Sequence, residues 1–141
     1  MQISQLDALT FVGPQISIAE MQALDRIQIG TIIVARPESE AEDQPTLSEI
    51  CTAASAFGIE VHQIPVAPGK ITDEDIRQFS ALTSNLAQPV FAYCRSGMRA
   101  TSLWALNQAA AGRPIDEILA AASAANFDLS ALTPRLAAGA T

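Results

Sequence analysis

Short runs of β-forming residues alternate along this chain with segments of helical period, and that alternation leaves few folds open. The β-rich runs cover residues 9–12, 31–35, 60–66 and 90–93. Among them stand three hydroxyl-x-x-carboxylate boxes: Ser17-Ile-Ala-Glu20, Thr46-Leu-Ser-Glu49 and Thr72-Asp-Glu-Asp75. In such a box the hydroxyl accepts from a backbone N–H in the first helical turn, and the carboxylate reaches back to the cap residue. Each box opens a set of apolar residues at helical spacing. The first set is Ile18, Met21, Leu24 and Ile27, with Asp25 a polar interruption. The second is Leu47, Ile50, Ala54 and Phe57, closed by Gly58. The third is Ile76, Phe79, Leu82 and Leu86, ahead of Pro89. A fourth helix is predicted to follow Arg99 and run to about Ala111, with Gly112 as its stop. Pro114 suits the first turn of a fifth, and Asp128 can cap a short last one. Residues 134–141 either pack on the domain or fray. A small strand near Ile3 can pair antiparallel with residues 9–12. The pattern predicts a three-layer α/β/α fold with a mostly parallel sheet of four to five strands, covered by helices on both faces.

The length of 141 residues suits one domain spanning residues 1–141, and no repeat or linker divides it. Apolar residues make up 49% of the chain but aromatics only 5%, so helices packed through small residues are expected. Lys and Arg number 8 against 15 Asp and Glu, a net charge of −7. That balance argues against a nucleic-acid partner, which needs a basic face. Two cysteines make no disulfide framework, and one His beside them argues against a zinc site; no metal or other cofactor is expected. The first ten residues, MQISQLDALT, carry no Lys or Arg ahead of an apolar run, unlike a signal peptide. No stretch approaches the roughly 20 apolar residues of a membrane helix. The reading is a cytoplasmic protein with reduced thiols and no membrane partner. Residues 37–45 concentrate Glu38, Glu40, Glu42 and Asp43 and read as a solvated acidic loop.

Most of the chemistry lies in Val90-Phe-Ala-Tyr-Cys94-Arg-Ser-Gly-Met-Arg99-Ala. A strand ends at Cys94, a short loop follows, and a helix begins. Ligands in open α/β sheets bind beyond the carboxyl ends of the strands. Backbone N–H groups of Arg95, Ser96, Gly97 and Met98 can curl there into an anion-binding nest, to which the helix start adds its partial positive charge. Gly97 supplies the backbone freedom such a turn needs. The same field, with the Arg99 guanidinium, favours a thiolate, and a thiolate inside an anion cradle is a nucleophile aimed at a small anionic substrate. Cys94 and Arg99 are therefore the candidate catalytic residues. Arg95 is expected to point outward and attract the anion. Ser96 either donates to the thiolate or serves as a turn residue. Arg36, ending a neighbouring strand, either reaches the same mouth or pairs with the acidic loop. Cys51 sits mid-helix without a neighbouring base or arginine and reads as core packing. His62 stands alone in a strand and reads as structural.

This loop resembles the active-site loop of a small bacterial family of phosphatase-like and sulfur-transferase proteins, which includes the phosphatase-like domain of beta-lactamase-hydrolase-like proteins. The resemblance extends over residues 3–111. It takes in Val12-Gly-Pro-Gln-Ile16, Thr31-Ile-Ile with Arg36-Pro37, and His62-Gln-Ile-Pro-Val-Ala-Pro-Gly69 leading to Ile71-Thr72. It implies a protein-tyrosine-phosphatase-like fold of the dual-specificity type. The cysteine-bearing strand would then lie between the strands at residues 9–12 and 31–35. It also implies a metallo-hydrolase-like persulfide dioxygenase as a partner.

Two features depart from phosphatases of that fold. They carry Cys-x5-Arg, whereas Cys94 to Arg99 is Cys-x4-Arg, which is similar to the Cys-Arg-x-Gly-x-Arg loop of rhodaneses. The smaller cradle suits a sulfane sulfur better than a tetrahedral phosphoryl group. Those phosphatases also place a general-acid Asp after the Ile-Pro-Val-type strand. Here Ile64-Pro-Val-Ala-Pro-Gly-Lys70 contains no carboxylate, and the next, Asp73, suits the first turn of a helix. The expected function is a rhodanese-like sulfurtransferase that forms a persulfide on Cys94 from a small anionic sulfane-sulfur donor. The alternatives are a phosphatase with a Cys94 thiophosphate intermediate, its acid drawn from residues 38–43 or Asp73, and a non-catalytic anion- or thiol-binding module for a partner enzyme.

Overall fold

Side chains alternate across a β-strand, so a strand buried on both faces feeds two separate cores. In β5 (Val90–Tyr93), Val90 and Ala92 join one buried cluster while Phe91 and Tyr93 join the other. In β3 (Thr31–Val34), Ile33 lies on the first side, Ile32 and Val34 on the second. Helices must then cover both faces, and the computed structural model, which describes residues 2–139, shows that they do.

The other strands are β1 (Ser4–Asp7), β2 (Thr10–Gly13) and β4 (Glu60–Gln63). Together they form a five-stranded sheet in the order β1-β2-β5-β3-β4. Only the β1–β2 pairing is antiparallel among those described. β5 is central, with Tyr93 level with Gly13 on one side and Val34 on the other. One face is covered by α1 (Met21–Arg26) and α2 (Leu47–Ser55), through Met21, Leu24, Ile50 and Ala54. The other is covered by α3 (Asp73–Thr83), α4 (Met98–Ala110), α5 (Ile115–Ala124) and α6 (Thr133–Gly139), through Phe79, Leu103, Ile118 and Leu136. The three-layer protein-tyrosine-phosphatase-like fold is thus present, with the cysteine-bearing strand at its centre.

All three helix boxes form, and two of them open α-helices directly. Thr46 Oγ1 accepts from Glu49 N–H at 3.1 Å and Glu49 Oε1 accepts from Thr46 N–H at 3.0 Å. Thr72 and Asp75 repeat the exchange at 3.1 and 2.9 Å. At Ser17 the box opens a 3-10 turn, Ile18–Glu20, ahead of the short α1. Gln28 then adopts φ 64°, which no helix continues, and Ile18 and Ile27 are left exposed.

Other boundaries differ for identifiable reasons. β4 stops at Gln63, short of the expected residue 66, because Ile64 N–H makes a last bond to Val34 O (2.9 Å) and Pro65 has no N–H to continue. Cys51 is exposed, correcting its reading as a core residue: Ile50 and Ala54 define the inner face of α2, and the next position turns away from it. α4 is buried along Ala100–Leu106, so it is a central helix rather than an amphipathic one. Its alanines bring it close to the sheet, while Trp104, fully buried, donates from Nε1 to Asp7 Oδ2 at 2.8 Å. Leu136 anchors α6 in the core, whereas residues 140 and 141 of the 134–141 stretch lie outside the described residues. No described helix is long and apolar enough to cross a membrane.

Candidate active site

Because β5 is central and buried, its carboxyl end delivers Cys94 to the middle of the sheet edge, on the α4 face. The residue has no solvent exposure. The chain then turns within Arg95, Ser96 and Gly97 and enters α4 at Met98, two residues earlier than expected. Gly97 makes this turn with φ 96° and ψ −13°, a left-handed conformation that a side chain resists. The turn aims Gly97 N–H at Cys94 Sγ, 3.2 Å away. A donor at that distance stabilises negative charge on sulfur. The loop is pinned from both ends. Gln15 N–H donates to Arg95 O at 3.2 Å, and Thr101 bonds Gly97 O through both Oγ1 (2.8 Å) and N–H (2.9 Å).

Starting the helix at Met98 places Arg99 in its first turn, facing back across the loop. Its guanidinium interacts electrostatically with the Cys94 sulfur. Its Nη1 donates to Val66 O at 2.7 Å and to Glu40 Oε2 at 2.9 Å, and its Nη2 donates to Glu40 Oε1 at 2.9 Å. The hydrogen bond to Glu40 raises the Arg99 pKa above its ordinary value; burial opposes this, and the Cys94 sulfur adds to the rise. The same bond from Arg99 holds the Glu40 carboxyl below its ordinary range, against the effect of burial, with Arg36 assisting. Glu40 is therefore an anion at neutral pH.

Arg36 fulfils both of the readings its sequence position left open. It is buried, reaches the mouth, and pairs with the acidic loop: Nε donates to Glu40 Oε1 at 2.9 Å, and Nη1 to Gln15 Oε1 at 2.8 Å. The loop that offers the carboxylate is itself held by Gln44, whose Nε2 donates to Pro37 O (2.9 Å) and whose Oε1 accepts Glu40 N–H (3.0 Å). A cavity of about 550 Å³ opens at this point, lined by Arg36, Glu40, Pro68, Gly69, Arg95, Ser96, Met98 and Arg99. Three of its lining side chains are arginines, in a chain of net charge −7.

The remaining expected residues fall as follows. Arg95 stands exposed at the rim. Ser96 is also exposed, and its Oγ accepts from Met98 N–H at 3.4 Å, which is the turn role rather than a bond to the sulfur. Met98 projects beside the mouth. Asp73 is not part of this arrangement. It opens α3, pairs with Arg135 at 3.6 Å, and lines a different cavity, which corrects its reading as a residue near the Cys94 loop that could supply the acid. His62 faces outward on β4 with Glu60 3.5 Å away. The sequence named Glu40 only as one carboxylate of the acidic loop from which the phosphatase alternative drew its acid, and gave no role to the Gln15 side chain or the Val66 carbonyl. The signal that existed for Glu40 was its place four residues after Arg36, which in a loop carries no fixed geometry.

Comparison with known proteins identifies the family and the fold. The model of the family "Beta-lactamase hydrolase-like protein, phosphatase-like domain" matches residues 5–111. A Beta-lactamase hydrolase-like protein of Agrobacterium fabrum is 38% identical over 107 residues, covering 76% of this chain and 25% of that protein. The chain thus spans about a quarter of the length of the curated relatives it matches. A Neisseria meningitidis protein of known crystal structure, described as a "putative phosphatase", superposes with a TM-score of 0.89 at 35% identity and covers 99% of both chains. The core catalytic domain of a PP-IP phosphatase from S. cerevisiae shares the fold, with a TM-score of 0.70 at 16% identity over 90% of this chain and 76% of that one. With the family model matching residues 5–111 and these relatives beside it, the chain belongs to the family of the phosphatase-like domain of beta-lactamase hydrolase-like proteins.

Proposed function

We propose that this chain is a cysteine-dependent hydrolase of phosphatase type, acting on small phosphate esters or anhydrides whose leaving group departs readily as an anion. The observation that carries the reading is the 3.2 Å approach of Gly97 N–H to Cys94 Sγ at the start of α4, with Arg99 facing the same sulfur. Family membership supports the phosphoryl chemistry. In the first step the Cys94 thiolate attacks phosphorus, and the ester oxygen leaves with its bonding pair, giving a thiophosphate on Cys94. In the second, water attacks phosphorus and the thiolate leaves; the water's protons end on the released phosphate and the departed oxygen. Loop N–H groups and the Arg99 fork stabilise the charge on the transferred group. Glu40, the carboxylate at the mouth, is held in its ionised form by Arg99 and Arg36 while it occupies the fork, which supports a preference for leaving groups that are stable as anions.

A second reading, sulfur transfer, draws on the four-residue spacing between Cys94 and Arg99 and on the same lack of a protonated acid. There the thiolate attacks the outer sulfur of thiosulfate, sulfite leaves, and a persulfide remains on Cys94. An acceptor, tested here as cyanide, then takes the sulfur. The metallo-hydrolase-like partner that the resemblance implies belongs to the third reading, the non-catalytic module. Purified protein and Cys94→Ser are offered an aryl phosphate, and separately thiosulfate with cyanide. Phosphate release lost in Cys94→Ser supports the first reading. Thiocyanate release lost in Cys94→Ser, without phosphate release, replaces it with the second. Neither product supports the non-catalytic module.

A further inference from the structure

Arg99 does not wait at the mouth with a free fork. Its two terminal nitrogens are held by the two oxygens of Glu40, at 2.9 Å on each arm. A guanidinium fork binds carboxylate and tetrahedral oxyanions through the same pair of parallel N–H bonds, so one occupant excludes the other. Beneath this pair Cys94 has no solvent exposure, with the Arg99 guanidinium beside its sulfur. Glu40 is presented to the fork by contacts of its own, from Arg36 to its side chain and from Gln44 to its backbone. The carboxylate stays charged through neutral pH, since both arginines favour its ionised form.

We propose that Glu40 is a built-in competitor for the anion site: the substrate's oxyanion binds by displacing the Glu40 carboxylate from the Arg99 fork. This deepens the function proposed above and rests on its premise that a substrate anion binds at the Cys94 loop. Displacement leaves the carboxylate beside Arg36, which already holds one of its oxygens and can keep it from following the anion inward. The arrangement makes Glu40 a specificity-determining residue. A ligand must out-compete a tethered carboxylate, and a tetrahedral oxyanion does so because its further oxygens also meet loop N–H groups. A planar carboxylate ligand offers the fork only what Glu40 already provides, so phosphate-class anions enter and free carboxylates are turned away.

The test uses Cys51→Ser protein, so that Cys94 is the one thiol, and reads its alkylation by iodoacetamide with and without inorganic phosphate, sulfate or acetate. Glu40→Gln keeps the side-chain shape and removes the charge; Glu40→Ala removes both. Phosphate and sulfate are expected to protect Cys94 in the parent, and acetate is not. In both Glu40 variants the half-protecting phosphate concentration falls by about tenfold, the scale of one charge-assisted hydrogen bond, and acetate begins to protect. Equal or weaker phosphate protection in both variants overturns the competitor role and leaves Glu40 as a residue that positions Arg99. Absence of protection by phosphate in all three proteins contradicts the anion site itself, and with it the function on which this inference rests.

Discussion

Glu40 and Arg99, 59 positions apart, meet in a two-armed ion pair with both arms at 2.9 Å, at the entrance to the Cys94 loop. In the pair the Arg99 fork meets two oxygens of one acid group, the geometry that the proposed function asks of it. Arg99→Lys keeps the charge but loses the fork, and Arg99→Ala loses both. Both variants are expected to lower kcat/KM for an aryl phosphate by about a hundredfold or more, with lysine rescuing little. Full activity in Arg99→Lys would show that a point charge suffices.

Leaving-group dependence reports on the missing acid. Glu40 is ionised by Arg99 and Arg36, and Asp73 pairs elsewhere with Arg135. General acid catalysis is worth roughly a hundredfold or more, so alkyl phosphates are expected to turn over slower than aryl phosphates by at least that factor. Rates that vary little across leaving groups of rising pKa would reveal a proton donor.

Gly97 sits at φ 96°, and a Cβ there would come within 2.8 Å of Phe127 Cζ and 3.2 Å of the Gly13 carbonyl group. Gly97→Ala is expected to cost about 1–3 kcal/mol of stability. It would also turn the N–H away from Cys94. A urea midpoint that does not fall would contradict the strain argument.

Tyr93 is the chain's single tyrosine, so its phenol can be followed by ultraviolet absorbance. Burial pushes it up to about 12, with Gln15 and Arg36 partly opposing the rise. The folded state thus favours the neutral phenol. This contribution to stability is fully present below the ordinary value of about 10 and is lost as pH rises through about 12. Titration of the folded protein near the ordinary value would show that the ring is not buried against α2 and its neighbours.

The sheet, its central cysteine strand and most of the helices were legible because each carries a local signal: alternation in β5, hydroxyl-carboxylate boxes at Thr46 and Thr72, a glycine turn after Cys94. Cys94 and Arg99 were legible for the same reason, lying five residues apart on one strand-loop-helix unit. Glu40 was not. Its position at the mouth depends on a loop held by Gln44 and on Arg36 pointing inward, contacts that no periodicity records. Cys51 misled because one residue along a helix changes the face by about 100°, and only the packing of Ile50 fixes which face is inside. The acidic loop read as a solvated feature, yet one of its carboxylates lies between two arginines.

The nucleophilic role of Cys94 is tested most directly by trapping the intermediate. The protein is mixed with an aryl phosphate, quenched in acid, and its intact and peptide masses are measured. The account predicts the added mass of one phosphoryl group on the peptide carrying Cys94, absent in Cys94→Ser. Phosphate released at the same rate by Cys94→Ser, or a phosphoryl group found on any other residue, would contradict it.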